Sequence, residues 1–278
     1  MRRILVFIGI MSLFIQCETV PITGRKRVNF VSDSQVLPMS FQQYDGFLKE
    51  NKSKIINNTK QARELKTIGK NIAGAVDRFM RANGMTSEAN SYRWEFNLIN
   101  DETINAWCMP GGKVVFYTGI MPICANTNGV AAVMGHEVAH AFAKHGQERM
   151  SSAQMQQMGG LAVALGTANS KQRNLWNMAY GVGSQLGMLK FSRTHETEAD
   201  KLGLVFMIMA GYKGEEAIYV WQRMSENAKK TGRKAPPEFL STHPHNQTRI
   251  ADLKAYLPTA KQLAAKYNAQ TKNIEVKK

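Results

Sequence analysis

Three cysteines in 278 residues are too few for a disulfide-built domain, and none falls in a CxxC pair. A cysteine-ligated structural metal site is therefore excluded. Cys108 and Cys124 lie 16 positions apart, a separation that permits a disulfide in an oxidising compartment without requiring one. Long apolar runs are also missing. Two apolar runs, Ile4 to Ile15 and Met158 to Ala168, cover 12 and 11 residues, short of the roughly 20 that a membrane-crossing helix needs. Acidic residues number 21 against 36 basic ones, a net charge of +15 that favours anionic surfaces. The basic residues are dispersed, as at Lys49, Lys52, Lys54, Lys229, Lys230 and Arg233, and no nucleic-acid-binding module accompanies them. A solvated basic surface with no nucleic-acid partner is the reading.

At 44% hydrophobic residues, the chain can bury one sizeable core, so a single catalytic domain is expected. Its first residues, MRRILVFIGIMSLFIQC, combine a basic start with an apolar stretch of signal-peptide length. Cys17 stands where a bacterial lipoprotein is cut and acylated, although Gln16 replaces the small residue usual before that cysteine. The expected organisation is a signal peptide over 1–16, a lipid-anchored tether with an N-terminal strand over 17–31, a domain over 32–270 and a frayed tail over 271–278.

The chemistry is concentrated in NGVAAVMGHEVAHAFAKHG, read as one helix from Asn128 to Gly146, with Thr127 as its cap and Gly146 as its stop. His136 and His140 fall one turn apart on one face, where both imidazoles can hold one zinc ion. Glu137 is turned about 100° from His136 and flanks the metal as a base for its water. The alternative, a buried helix whose histidines only satisfy core hydrogen bonds, would bury polar groups at a cost.

Around this helix the pattern alternates between amphipathic helices and short strands. Helices are expected from Ser32 to Glu50 and, capped by Thr59, on to Asn83. Strands are expected at Tyr92 to Ile99, Asn105 to Met109, and KVVFYT after the Pro110, Gly111, Gly112 turn. An edge strand there can pair with an extended substrate, although an ordinary hairpin reads the same way. Ser151 to Gly187 reads as two helices covering the site as a lid.

Zinc held by two histidines needs a third ligand with one position left open, and FSRTHETEADKLGL supplies candidates. Glu196 and Asp200 share a helix face while Glu198 points away, so Glu196 is the ligand of choice. Asp200 then accepts the free ring N–H of a ligand histidine. In STHPHNQTR, His243 and Arg249 are donors that can approach the cleft and stabilise an oxyanion.

Four motifs, NAWCMPGG at 105–112, HEVAH at 136–140, ETEAD at 196–200 and THPHNQTR at 242–249, resemble the gluzincin peptidases of the CAAX prenyl protease, HtpX and Oma type, in particular the small bacterial lipoprotein members. The resemblance implies an α+β, mainly helical, zincin-like metalloprotease domain with a small antiparallel sheet packed beside the HExxH helix. It implies His136, His140 and Glu196 as zinc ligands, Glu137 as general base and acid, and Asp200 as their support. Asn105 and Ala106 fall on the substrate-binding strand by the same likeness. His243 matches a histidine that can occupy the open zinc position, and Arg249 an arginine six residues on. The repeat domain carried by some envelope relatives does not follow here. The resulting expectation is a zinc endopeptidase of the cell envelope, facing the periplasm from a lipid anchor on Cys17 and cutting misfolded or misassembled proteins. An envelope chaperone with a latent metal site is the alternative.

Overall fold

The computed structural model of the protein describes residues 16–161, 191–230, 238–243, 248–272 and 274. The expected signal peptide up to residue 15, the lid segment after Leu161, the linker from 231 to 237 and the final four residues lie outside them.

Strands β1 (Gln16–Thr19) and β2 (Lys26–Asn29) form an antiparallel hairpin, with Cys17 opposite Val28. Helix α1 (Asp33–Glu50) follows, with Ser32 and Gln35 closing a capping box at its start. Helix α2 (Lys60–Ala82) is capped by Thr59, which accepts from the Ala62 N–H. It buries the stripe Leu65, Ile68, Ile72, Val76 and Phe79, as helical spacing requires. The short helix α3 (Thr86–Ser91) precedes three of the four strands of the second sheet.

That sheet comprises β3 (Ile55–Ile56), β4 (Glu95–Ile99), β5 (Ala106–Met109) and β6 (Lys113–Tyr117), ordered β3-β4-β6-β5. The β5–β6 hairpin is antiparallel as expected, but β4 and β6 run parallel, with Phe96 opposite Val114. The sheet is therefore mixed, not wholly antiparallel. Because β5 is inserted outside β6 rather than between β4 and β6, it becomes the edge. Gly111 and Gly112, at φ +80° and +85°, make the hairpin turn possible.

Helices α4 (Met121–Cys124) and α5 (Thr127–Phe142) come next. The cap of α5 is Asn126, accepting from the Gly129 N–H, one residue earlier than expected. Every residue from Gly129 to Phe142 is buried, so α5 is the central helix of the domain. It does not run on to Gly146. Lys144 adopts a left-handed conformation, φ +55°, and a new helix α6 (His145–Leu161) starts beyond it. That conformation costs roughly 1–2 kcal/mol for a residue with a Cβ. Three carboxylates, Asp33 at 2.8 Å, Glu88 at 3.4 Å and Glu18 at 4.0 Å, hold the Lys144 ammonium and oppose the strain.

After the undescribed stretch come α7 (Arg193–Met209), capped by Ser192, α8 (Glu215–Lys230), α9 (Glu238–Thr242) and α10 (Arg249–Thr271). Helices α5 and α7 cross with almost no side chain between them. A Cβ on Gly203 would lie 2.8 Å from the carbonyl carbon of Gly135, and one on Gly135 would lie 2.7 Å from the Gly203 oxygen. This contact sets the distance between the two helices that carry the HExxH and ETEAD motifs. Below it, Phe142 packs edge-on against Phe79 and Phe206 at 5.9 and 5.1 Å, tying α2, α5 and α7 into one core. No described helix is long and apolar enough to cross a membrane. Cys108 and Cys124 are both free thiols.

Candidate metal centre

The close α5–α7 crossing brings His136 and His140 against Glu196. Their side chains form a buried group in which His136 Nε2 lies 3.1 Å from His140 Nε2, and each nitrogen lies 3.5 Å from a different Glu196 oxygen. Two imidazole nitrogens facing each other need a cation between them or a proton on one. Ligand atoms about 2.1 Å from a tetrahedral metal are themselves about 3.4 Å apart, so these separations match the edges of such a site. Glu196 Oε1 makes no hydrogen bond although buried, as expected of an atom reserved for a metal. His243 completes the set: its ligand atom falls within 4.8 Å of the other three. The donor set of imidazoles and one carboxylate is that of a zinc-type site.

Behind the ligands, Asp200 Oδ1 lies 3.1 Å from His136 Nδ1, the support expected for it. Arg249 is placed differently from expectation. Its Nε and Nη2 reach both oxygens of Asp200 at 2.5 and 2.7 Å, its Nη1 reaches Glu196 at 2.9 Å, and its carbon lies 3.3 Å from the Trp221 ring centre. With its donors engaged by these carboxylates, the guanidinium is turned to the back of the ligand set and not to an oxyanion. Spacing alone could not reveal this, because the arginine is delivered by α10 packing against α7.

Glu137 is 2% exposed and its Oε1 has no hydrogen-bond partner. His243 Nε2, also without one, lies 3.5 Å from it. His243 Nδ1 faces the Phe239 carbonyl at 3.2 Å and the Thr242 hydroxyl at 2.9 Å, which directs Nε2 into the site. Phe239 stacks on the ring at 4.5 Å. Beside Glu137 runs the edge strand β5, and a cleft of about 60 Å³ lies between Ala106, Cys108, Glu137, Phe191, Arg149 and His243. Asn105 also lines it, but its Oδ1 accepts the N–H of the next residue, Ala106, at 2.9 Å. Phe191, not singled out from the sequence, covers His140 at 3.9 Å and carries the Arg149 guanidinium on its ring at 3.7 Å.

Burial and charge divide the titratable groups. Burial, reinforced by the Glu196 charge, pushes the Glu137 carboxyl up to about 8. His243 falls to about 3 chiefly through burial, and His140 is held well below the usual histidine range by burial and the neighbouring His136. Burial opposes the His136 cation too, but hydrogen bonds to Asp200 and Glu196 outweigh it and raise this histidine to about 9. Glu196 is resisted by burial yet falls to about 2, because His243, Arg249 and His136 favour its anion.

These shifts predict how metal uptake depends on pH. Metal-free His136 is protonated at pH 7 and must lose that proton to ligate, whereas His140 and Glu196 are already in ligating form. In a Glu137→Gln background, which silences the adjacent carboxyl, uptake at pH 7 is expected to release one proton. Affinity should then rise about tenfold per pH unit and flatten above pH 9. Calorimetry in buffers of different ionisation enthalpy measures the proton, and uptake without release would contradict the assignment.

Residues 59–257 match Peptidase family M48.

The chain belongs to this family. Its buried His136, His140 and Glu196 group is a metal site of the kind a metallopeptidase carries. Over 247 residues it is 30% identical to the mitochondrial metalloendopeptidase OMA1 of Schizosaccharomyces pombe, covering 89% of this chain and 68% of the relative. The Saccharomyces cerevisiae protein of that name is 38% identical over 179 residues, 62% of this chain and 49% of its own. The beta-barrel assembly-enhancing protease of Escherichia coli is 29% identical over 177 residues, 61% and 36% of the two chains. The chain thus spans about half the length of the Saccharomyces relative.

The residue that motif reading missed most clearly is His145. On a continuous helix it would lie about 140° around from His140. The bend at Lys144 instead returns its Nδ1 to 2.9 Å from His140 Nδ1.

Proposed function

We propose that this M48 peptidase is a zinc-dependent endopeptidase of the bacterial cell envelope, acting on misfolded or misassembled proteins. The observation that carries the reading is the convergence, in one buried site beside a sheet edge, of two histidines, Glu196 and a Glu137 whose Oε1 has no hydrogen-bond partner. Zinc bound by His136, His140 and Glu196 supplies Lewis acidity toward a peptide carbonyl and toward water. Glu137 takes the proton of the attacking water at its carboxylate and delivers it to the leaving nitrogen. Asp200 and Arg249 hold His136 and Glu196 in register. The outer edge of β5, from Ala106, offers backbone groups to an extended substrate. The E. coli relative, a beta-barrel assembly-enhancing protease by name, supports an envelope substrate class, and Cys17 is the position for a lipid anchor facing the periplasm.

Chelation should abolish casein cleavage by the purified chain and zinc should restore it; activity that survives metal removal would overturn the proposal.

His243 supplies the gate. Its free Nε2 among the ligand atoms supports a role in closing the open coordination position until substrate displaces it. His243→Ala is accordingly expected to raise casein cleavage several-fold, on the order of the 1 kcal/mol scale of one displaced contact. Unchanged or lower activity would point to a positioning or transition-state role instead. A client-binding chaperone with a latent metal is less well supported, since it gives no role to the Glu137 carboxylate, whose Oε1 stands without a hydrogen bond beside the ligand group.

A further inference from the structure

We infer that His145 and Glu198 form a positioning relay for His140, and that the N-terminal hairpin holds its far end. The inference rests on the reading above that His140 ligates the metal through Nε2.

With Nε2 facing His136 and Glu196, the His140 ring turns Nδ1 away from the site. A neutral imidazole ligating through Nε2 carries its proton on Nδ1. The acceptor waiting there is His145 Nδ1 at 2.9 Å, which fixes the His145 proton on Nε2. That nitrogen lies 2.9 Å from Glu198 Oε2, a carboxylate 4% exposed. Glu198 in turn accepts from Arg25 Nε at 2.6 Å and from the Thr23 hydroxyl. Arg25 is clamped by both oxygens of Glu148 at 2.8 Å. Each donor in the row has one acceptor, and the donations converge on Glu198, from the histidines on one side and from Arg25 and Thr23 on the other.

Both ligand histidines are thus backed by a carboxylate, by different routes. Asp200 supports His136 directly from α7. His140 faces away from Asp200, so Glu198, the residue that one-turn spacing sets aside as a ligand, reaches it through an interposed imidazole. His145 is fully buried and stacks on His195 at 4.4 Å, which holds its ring plane. The turn between β1 and β2 carries Thr23 and Arg25, so the hairpin beginning at Gln16 reaches a metal ligand through Glu198 and His145.

The test measures metal affinity of the full chain by competition with a zinc chelator, together with the visible absorption of the cobalt(II) form. His145→Leu is expected to weaken zinc binding about 10- to 100-fold and to shift the cobalt spectrum. In His145→Gln, the amide oxygen can accept from His140 and the amide N–H can donate to Glu198. It should stay within about threefold of the parent. Arg25→Met, on a partly exposed turn, should weaken binding in the same sense by about threefold while the chain still folds and unfolds cooperatively. Parent-like affinity in His145→Leu, or in Arg25→Met if the former does not fold, overturns the relay. Equal loss in His145→Gln and His145→Leu also overturns it, since it would reduce His145 to packing. A parent chain that binds no zinc would instead overturn the metallopeptidase reading itself.

Discussion

Glu137→Gln is expected to leave the chain folded and metal-loaded while casein or self-cleavage falls by about two to four orders of magnitude. The substitution is nearly isosteric, and Glu137 makes no hydrogen bond through Oε1 whose loss would disturb packing. Its position on α5, next to His136 but turned about 100° from it, keeps it out of the ligand set and beside the cleft. A carboxyl that burial raises to about 8 in the metal-free protein is poised to exchange a proton near neutrality, which an amide cannot do. Metal analysis and initial rates on one preparation check both halves. An equally active, metal-loaded variant would sink the mechanism, and loss of metal would move Glu137 among the ligands.

Arg249→Met is expected to lower the stability of the metal-free protein by about 3–5 kcal/mol, because it removes the cation from buried Asp200 and Glu196. Zinc loading should recover part of this, since the ion takes over the charge facing Glu196. Arg249→Lys should not restore the parent, as an ammonium cannot present a planar fork to two carboxylates. Urea unfolding with and without zinc measures the effect. Full stability combined with a specific loss of kcat would return Arg249 to the oxyanion role that its motif had suggested.

What the two experiments separate is also what separates local from tertiary information. The one-turn spacing of His136 and His140, and of Glu196 and Asp200, depends only on helix geometry. That is why those residues meet as expected, with Asp200 on His136 at 3.1 Å. Helix α2, with its cap at Thr59 and its single apolar stripe, was legible for the same reason. The edge position of β5 was not. Alternation predicts strands but not partners, and the parallel pairing of β4 with β6 depends on how the segment from Asn100 to Asn105 crosses the sheet.

Near the metal the contrast is sharpest. By itself the sequence determined two imidazoles and a base on one helix, a carboxylate pair on another, and their membership in one kind of chemistry. Only the tertiary structure decided the rest. Gly135 against Gly203 sets how closely those helices approach. Lys144, held in a left-handed turn by Asp33, Glu88 and Glu18, breaks the helical phase and brings His145 to His140. Arg249 arrives from α10 at the back of the ligands. Each depends on ion pairs and backbone contacts between segments far apart in the chain, which no periodicity encodes.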